Sequence, residues 1–289
     1  QVAWNAGNYE GTQYTVPLDI HGNAMYYNTD LLDKYDANTF LDDDVVTIEE
    51  ILSLDGKLDE GQYAINNALI EWVTLANVVN AGGDISDEAG NPTINTDAMR
   101  SVVEQLKSVA DAGLMSPYGE DGYAMFQSGD VLFSTDGTWT STAHGSVEGL
   151  NFGVTNIYSV TPDKFTNRSS AHLFSLLNNE DRTDEKEQGV ADFLSWMREN
   201  SLDWAGAGQI VASKEVFESE EYQQYPQSFF TSSDVEKEAS YIFDYKYYSY
   251  VESALGTVLS DMIYGNITID EGLDQAQKTV EDLIAENAS

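Results

Sequence analysis

The chain has 289 residues and sets 13 Lys and Arg against 50 Asp and Glu, a formal net charge of −37. That balance excludes a basic nucleic-acid face and polybasic docking on anionic lipid, since both need clustered cations. With 42% hydrophobic and 11% aromatic residues the chain is not a disordered acidic tail, and its length suits about one or two domains.

In chain order, Tyr14, Val16 and Leu18 alternate with polar neighbours as a strand does, and Pro17 confines that strand to an edge or an end. A second extended piece is expected over residues 24–27, after a connection through residues 19–23. Thr47 and Glu50 form a capping box that opens a helix with Ile48, Ile51 and Leu52. Leu69, Trp72, Val73, Ala76 and Val79 recur at helical spacing until Gly82-Gly83 stops them. Asn95 or Thr96 caps the next helix, whose apolar face runs from Met99 to Ala110 before Gly113. Residues 125–133 read as a helix end, a turn at Gly129 and a short buried strand, followed by Asp136-Gly137-Thr138-Trp139. Residues 152–155 and 172–177 are further strands, and Val190, Phe193, Leu194 and Met197 mark another helix. The last third is helical: a stripe from Val251 to Met262 ends at Gly265, and a second capping box, Thr268 with Glu271, opens the closing helix. Short strands among long helices indicate an α/β protein.

The charge is read as a carboxylate-covered surface adapted to high salt, because molar salt shortens the screening length to about 3 Å and relieves self-repulsion. There is no Cys, so no disulfide or thiolate site. No apolar run approaches the ~20 residues of a membrane span. The start at Gln1 reads as a processed or trimmed end, and sequons at Asn167, Asn266 and Asn287 permit surface glycosylation.

Signals for catalysis are near background. Fifty acids make carboxylate pairs unspecific, and the three His (His21, His144, His172) show no metal-ligand spacing. No nucleophile elbow, phosphate loop or dinucleotide fingerprint occurs. No catalytic residue, metal or cofactor is therefore assigned. The better signal is Trp at element junctions: Trp139 after a turn, Trp72 beside Glu71 on a helix, and Trp204 near Gly206 and Gly208. Sugar rings stack their C–H faces on such indoles, while carboxylates and amides take the hydroxyl hydrogen bonds. Each Trp has an alternative reading as core packing.

Residues 14–32 resemble the "PL…YYNKDL" segment of family 1 extracellular solute-binding proteins, the maltose-binding-like receptors of ABC importers. Thr47–Leu52 in the capping-box helix resembles their "TWEEL", Ala81-Gly82-Gly83 their "GG" turn, Phe126–Asp130 their "F..GK" and Asp136–Trp139 their "G.W". Ala191–Leu194 and Gly265–Leu273 fit the "A..FL" and closing "G..T.EEAL" helices, in the family's order. Two departures stand out. The "G.IP" near the second hinge reads Gly208-Gln209-Ile210-Val211, without the Pro, and the family's leading strand and helices have no counterpart.

The resemblance implies a two-lobe periplasmic-binding-protein-like α/β fold (type II) with lobe 1 incomplete in this chain. Residues 1–18 and 154–216 would be the remnant of lobe 1, and residues 19–153 and 217–289 lobe 2. It implies an extracellular receptor, not an enzyme, that closes about hinges on a saccharide and delivers it to ABC permease subunits. Carried over by position, the ligand contacts would be His21, Trp72, Asp136 and Trp139, with Asp19, Glu71, Asn23 and Trp204 beside them. A haloarchaeal source, a monomeric state and attachment through an N-terminal lipid on a preceding segment complete the expectation, with no nucleic-acid partner. Two other readings stand: a ferric-iron or other non-sugar receptor using Tyr247-Tyr248, and a salt-adapted carbohydrate-active enzyme.

Overall fold

The computed structural model describes residues 2–162, 164–232 and 240–287. Its spine is a ten-residue strand. Strand β1 (Thr15–Pro17) is followed by β2 (Asp19–Asn28), whose residues are nearly all buried. Residues 19–23, expected as a connection, are therefore strand. Most of their side chains are shielded; Asp19 and His21 find hydrogen-bond partners inside, whereas Asn23 faces a small cavity.

Helix α1 (Thr29–Lys34) starts where Asn28 Oδ1 accepts from the amides of Asp30 and Leu31. Helix α2 (Ile48–Leu52) opens with the expected capping box, Thr47 and Glu50 exchanging hydrogen bonds. Then come β3 (Tyr63–Ile65), α3 (Ile70–Asn80), α4 (Asp97–Asp111) and α5 (Gly122–Gln127). The glycine turn at Gly129 leads into β4 (Val131–Gly137), which is buried throughout. Beyond it lie β5 (Phe152–Thr155), β6 (Asn167–Ser170) and β7 (Leu173–Ser175). The extended stretch expected over 172–177 is shorter than its apolar run, which leaves His172 in the link between β6 and β7. Helices α6 (Asp184–Glu199) and α7 (Ser201–Ala205) precede β8 (Ile210–Val211) and β9 (Ser240–Tyr241). Helices α8 (Tyr248–Ile263) and α9 (Ile269–Asn287) close the chain.

The main sheet runs β9-β6-β2-β4-β3, and β2 also pairs with β8 and β5. Partners change along β2. Ile20 lies opposite Ile210 and His21 opposite Ser170, whereas Asn23 to Tyr27 lie opposite Gly137 to Phe133 on β4. Strands β1 and β7 form a separate pair. The principal core joins β3 and β4 to α3, α4, α8 and α9 through residues such as Val73, Leu106, Phe133 and Leu255.

Helix α6 differs from the others. Its apolar stripe forms, yet none of its residues is buried, and Phe193 and Trp196 are exposed. Leu194, Met197 and Arg198 line an open groove of about 620 Å³ beside Trp4 and Val16. The sequon at Asn167 does not reach the surface: Asn167 is buried in β6 and its Nδ2 donates to the Asn23 carbonyl at 2.7 Å. Asn266 and Asn287 are exposed.

Candidate ligand-binding site

Strand β4 ends at Gly137, and a short 3-10 turn (Thr138–Thr140) follows at once. The turn folds the Trp139 indole back over Gly137, where an added methyl would overlap the ring. Gly208, at φ +86°, lets another backbone approach, and a Cβ there would stand 2.8 Å from the Trp139 Cα. Two glycines thus seat this indole, half-buried rather than enclosed.

From Trp139 a row of rings extends both ways. Trp72, on the first turn of α3, meets it edge-on at 5.9 Å, and His21 meets it at 5.8 Å on the other side. His21 lies 4.5 Å from His172, which meets Trp204 at 6.2 Å. Trp72 and Trp204 are half-buried as well. These Trp are therefore neither core nor free surface.

Charged groups flank both ends. At the Trp72 end, the Arg168 guanidinium lies 3.8 Å from the centre of the indole and covers one face of it. Arg168 donates to the Tyr248 hydroxyl at 2.8 Å and stands 3.8 Å from Glu252, while Trp72 Nε1–H donates to Glu252. Arg168 Nη1 is buried without a hydrogen-bond partner among the described residues. Burial holds the Glu71 carboxyl above its ordinary value, and nearby Glu252 adds to the effect against Arg168.

At the far end Asp19 is fully buried and gathers the donors. Its Oδ2 accepts from Trp204 Nε1–H at 2.6 Å, and its Oδ1 from the His172 amide at 3.0 Å. The Nδ1 atoms of His21 and His172 stand 3.3 and 3.1 Å from Oδ1. Burial pushes the Asp19 carboxyl up, but the hydrogen bonds from His21, His172 and Trp204 outweigh it and hold it below its ordinary value.

The fold thus brings Trp72, Trp139, His21, Trp204, Asp19 and Glu71 to one row. It does not bring Asp136 or Asn23 there. Asp136 hydrogen-bonds the Gly137 amide and acts electrostatically on Tyr26 and Tyr123. Asn23 lines a cavity of about 60 Å³ behind His21 with Thr138, and its amide atoms have no partner among the described residues. That volume admits a few waters. Sequence reasoning missed Arg168, Glu252 and His172. An Arg in an otherwise apolar and hydroxyl-rich stretch was a usable signal for the first, since cations are so scarce; nothing marked the others. The hydroxyls of Tyr247 and Tyr248 do not share a partner: the first accepts from Lys246 at 3.2 Å and the second from Arg168.

Residues 2–231 match a family described as bacterial extracellular solute-binding protein. No curated protein sequence matches the chain. Among solved structures, the cyclic α-maltosyl-1,6-maltose binding protein of Arthrobacter globiformis superposes with a TM-score of 0.78 at 18% identity, over 99% of this chain and 76% of that one. An ABC substrate-binding protein of Listeria monocytogenes in complex with cycloalternan gives 0.78 at 16% identity, over 98% and 74%. The maltose/maltodextrin-binding domain of Bdellovibrio bacteriovorus bound to maltotriose gives 0.74 at 16% identity, over 96% and 74%. At these identities the likeness establishes a shared fold.

Proposed function

The chain belongs to the bacterial extracellular solute-binding protein family, and we propose that it is a receptor capturing a sugar or oligosaccharide for delivery to an ABC importer permease. One observation carries the reading: Trp72 and Trp139 meet in a T-shaped, edge-to-face pair, both half-buried, with acids and an unpartnered Arg168 Nη1 beside them. Partly open indoles stack on sugar C–H faces, and the charged and hydroxyl groups around them match hydroxyls. Arg168 occupies one face of Trp72, so the Trp139 ring is the principal platform.

Capture is the mechanism, without turnover. The division taken is residues 1–18 with 154–216 and residues 19–153 with 217–289; β2 lies in the second set, but its residues 19–22 pair with β8 and β6 of the first and its residues 23–27 with β4 of its own, so it spans the junction. A ligand that touches both lobes only when they approach shifts the equilibrium toward the closed form, which the permease then recognises. Working as a monomer and attachment outside the cell through an N-terminal lipid belong to this proposal.

The test is titration with maltose and longer glucans in molar NaCl. Trp139→Ala is expected to weaken saccharide binding by about 1–3 kcal/mol with the fold kept. Gly137→Ala, which displaces the indole without removing it, should weaken it in the same direction. Unchanged affinity in both variants would remove Trp139 from the site. The saccharide should be recovered intact after incubation; hydrolysis products would favour an enzyme.

A further inference from the structure

We propose that Asp19, His21 and His172 form a site for one first-row divalent cation of borderline softness, of which Zn²⁺ and Co²⁺ are the probes. Each of the three residues offers a ligand atom, and these atoms lie within 4.8 Å of one another. An ion about 2.0–2.2 Å from its nitrogen and oxygen ligands holds neighbouring ligands about 3.0 Å apart in octahedral and about 3.4 Å apart in tetrahedral geometry. The His21 Nδ1 and His172 Nδ1 distances to Asp19 Oδ1, 3.3 and 3.1 Å, already have that length. An ion is bound with each imidazole as the neutral tautomer that carries its proton on Nε2, so that the Nδ1 lone pairs face the ion beside the carboxylate.

Asp19 and His21 are two apart on β2 and share one face of the strand, while His172 is delivered from the β6–β7 link. The carboxylate is oriented in advance: the His172 amide and the Trp204 indole both donate to it and need not let go. Such outer hydrogen bonds are what fix the ligands of a metal centre. Among the described residues, the ion-pair partners of fully buried Asp19 are the two His. A bound dication would compensate that charge directly. The His21 side chain is 10% exposed and that of His172 54%, so the site opens on the His172 side and leaves coordination positions for water. Two imidazoles with one carboxylate select this class of metal over Mg²⁺ and Ca²⁺, which favour oxygen alone and would bind the many other carboxylates. Once bound, the ion ties β2 to the β6–β7 link and, through Trp204, to α7. This proposal does not rest on the saccharide reading.

The chain is stripped with a chelator, placed in molar NaCl with excess Mg²⁺ to occupy surface carboxylates, and titrated with Co²⁺ and separately with Zn²⁺, with no saccharide present. One equivalent of Co²⁺ should develop a visible d–d band, and Zn²⁺ should displace it. His172→Ala, at a half-exposed position that the fold tolerates, and His21→Ala should each lower Zn²⁺ affinity by at least about 10-fold, and Trp204→Phe by about 10-fold through the carboxylate it orients. A missing Co²⁺ band, or Zn²⁺ affinity unchanged in the folded His21→Ala/His172→Ala double variant, overturns the assignment.

Discussion

Asp136 and His144 both neighbour Tyr26 and Tyr123, and burial moves them in ways that oppose each other over one pH range. Burial raises the Asp136 carboxyl to about 6, so between about pH 4 and 6 the folded chain keeps a proton that the unfolded chain releases. Stability contributed by Asp136 therefore falls as pH rises through that window, and the cost persists above it. Burial lowers His144 to about 4, so as pH drops below about 6.5 the unfolded chain gains a proton that the folded one refuses. Its contribution rises with pH across the same window. Asp136→Asn keeps the acceptor for the Gly137 amide. It should stabilise the chain by about 1–3 kcal/mol at pH 7 and by little near pH 4, read by urea denaturation at both values. An equal offset at the two pH values would assign the effect to packing. His144, one of only three His, packs against Phe126 and Phe152 as a neutral core ring.

Helices α6 and α8 show how the same pattern comes to different ends. Both carry apolar residues at helical spacing, and both form. In α8 the stripe is shut against α3, α4 and α9, with Leu255 wholly buried, whereas Trp196 on α6 is 57% exposed. Leu255→Ala should cost about 2–5 kcal/mol. Trp196→Ser should stay within about 0.5 kcal/mol in this chain, as substitutions at open positions do. Urea midpoints of the two variants in molar salt separate the cases, and comparable losses would show that α6 is packed after all. Strand β2 is the counterpart among the strands: polar Asp19, His21 and Asn23 make its first half read as a connection, and its ladder to β8, β6 and β4 makes it strand.

For the whole molecule the governing term is charge. Among the described acids only Asp19 and Asp136 are buried and Glu71 is partly so, and most of the others meet solvent with few cations to offset them. Self-repulsion of that kind is long-ranged in dilute buffer and short-ranged in molar salt. The melting temperature should climb steadily from 0.1 to 2 M NaCl, and a flat profile would rule out salt adaptation. Surface charge, the α/β class and most element ends are legible in the residues alone, because capping boxes, glycine stops and apolar periods act over three or four residues. Junction positions mark Trp72, Trp139 and Trp204 as candidates, and the family resemblance adds His21. It takes the folded chain to show that Asp19 gathers His21, His172 and Trp204, that Arg168 lies over Trp72, that Asn167 is buried and that α6 is left open. Those pairings span up to 185 residues. They follow from the register of β2 against β4, β6 and β8, which no local spacing encodes.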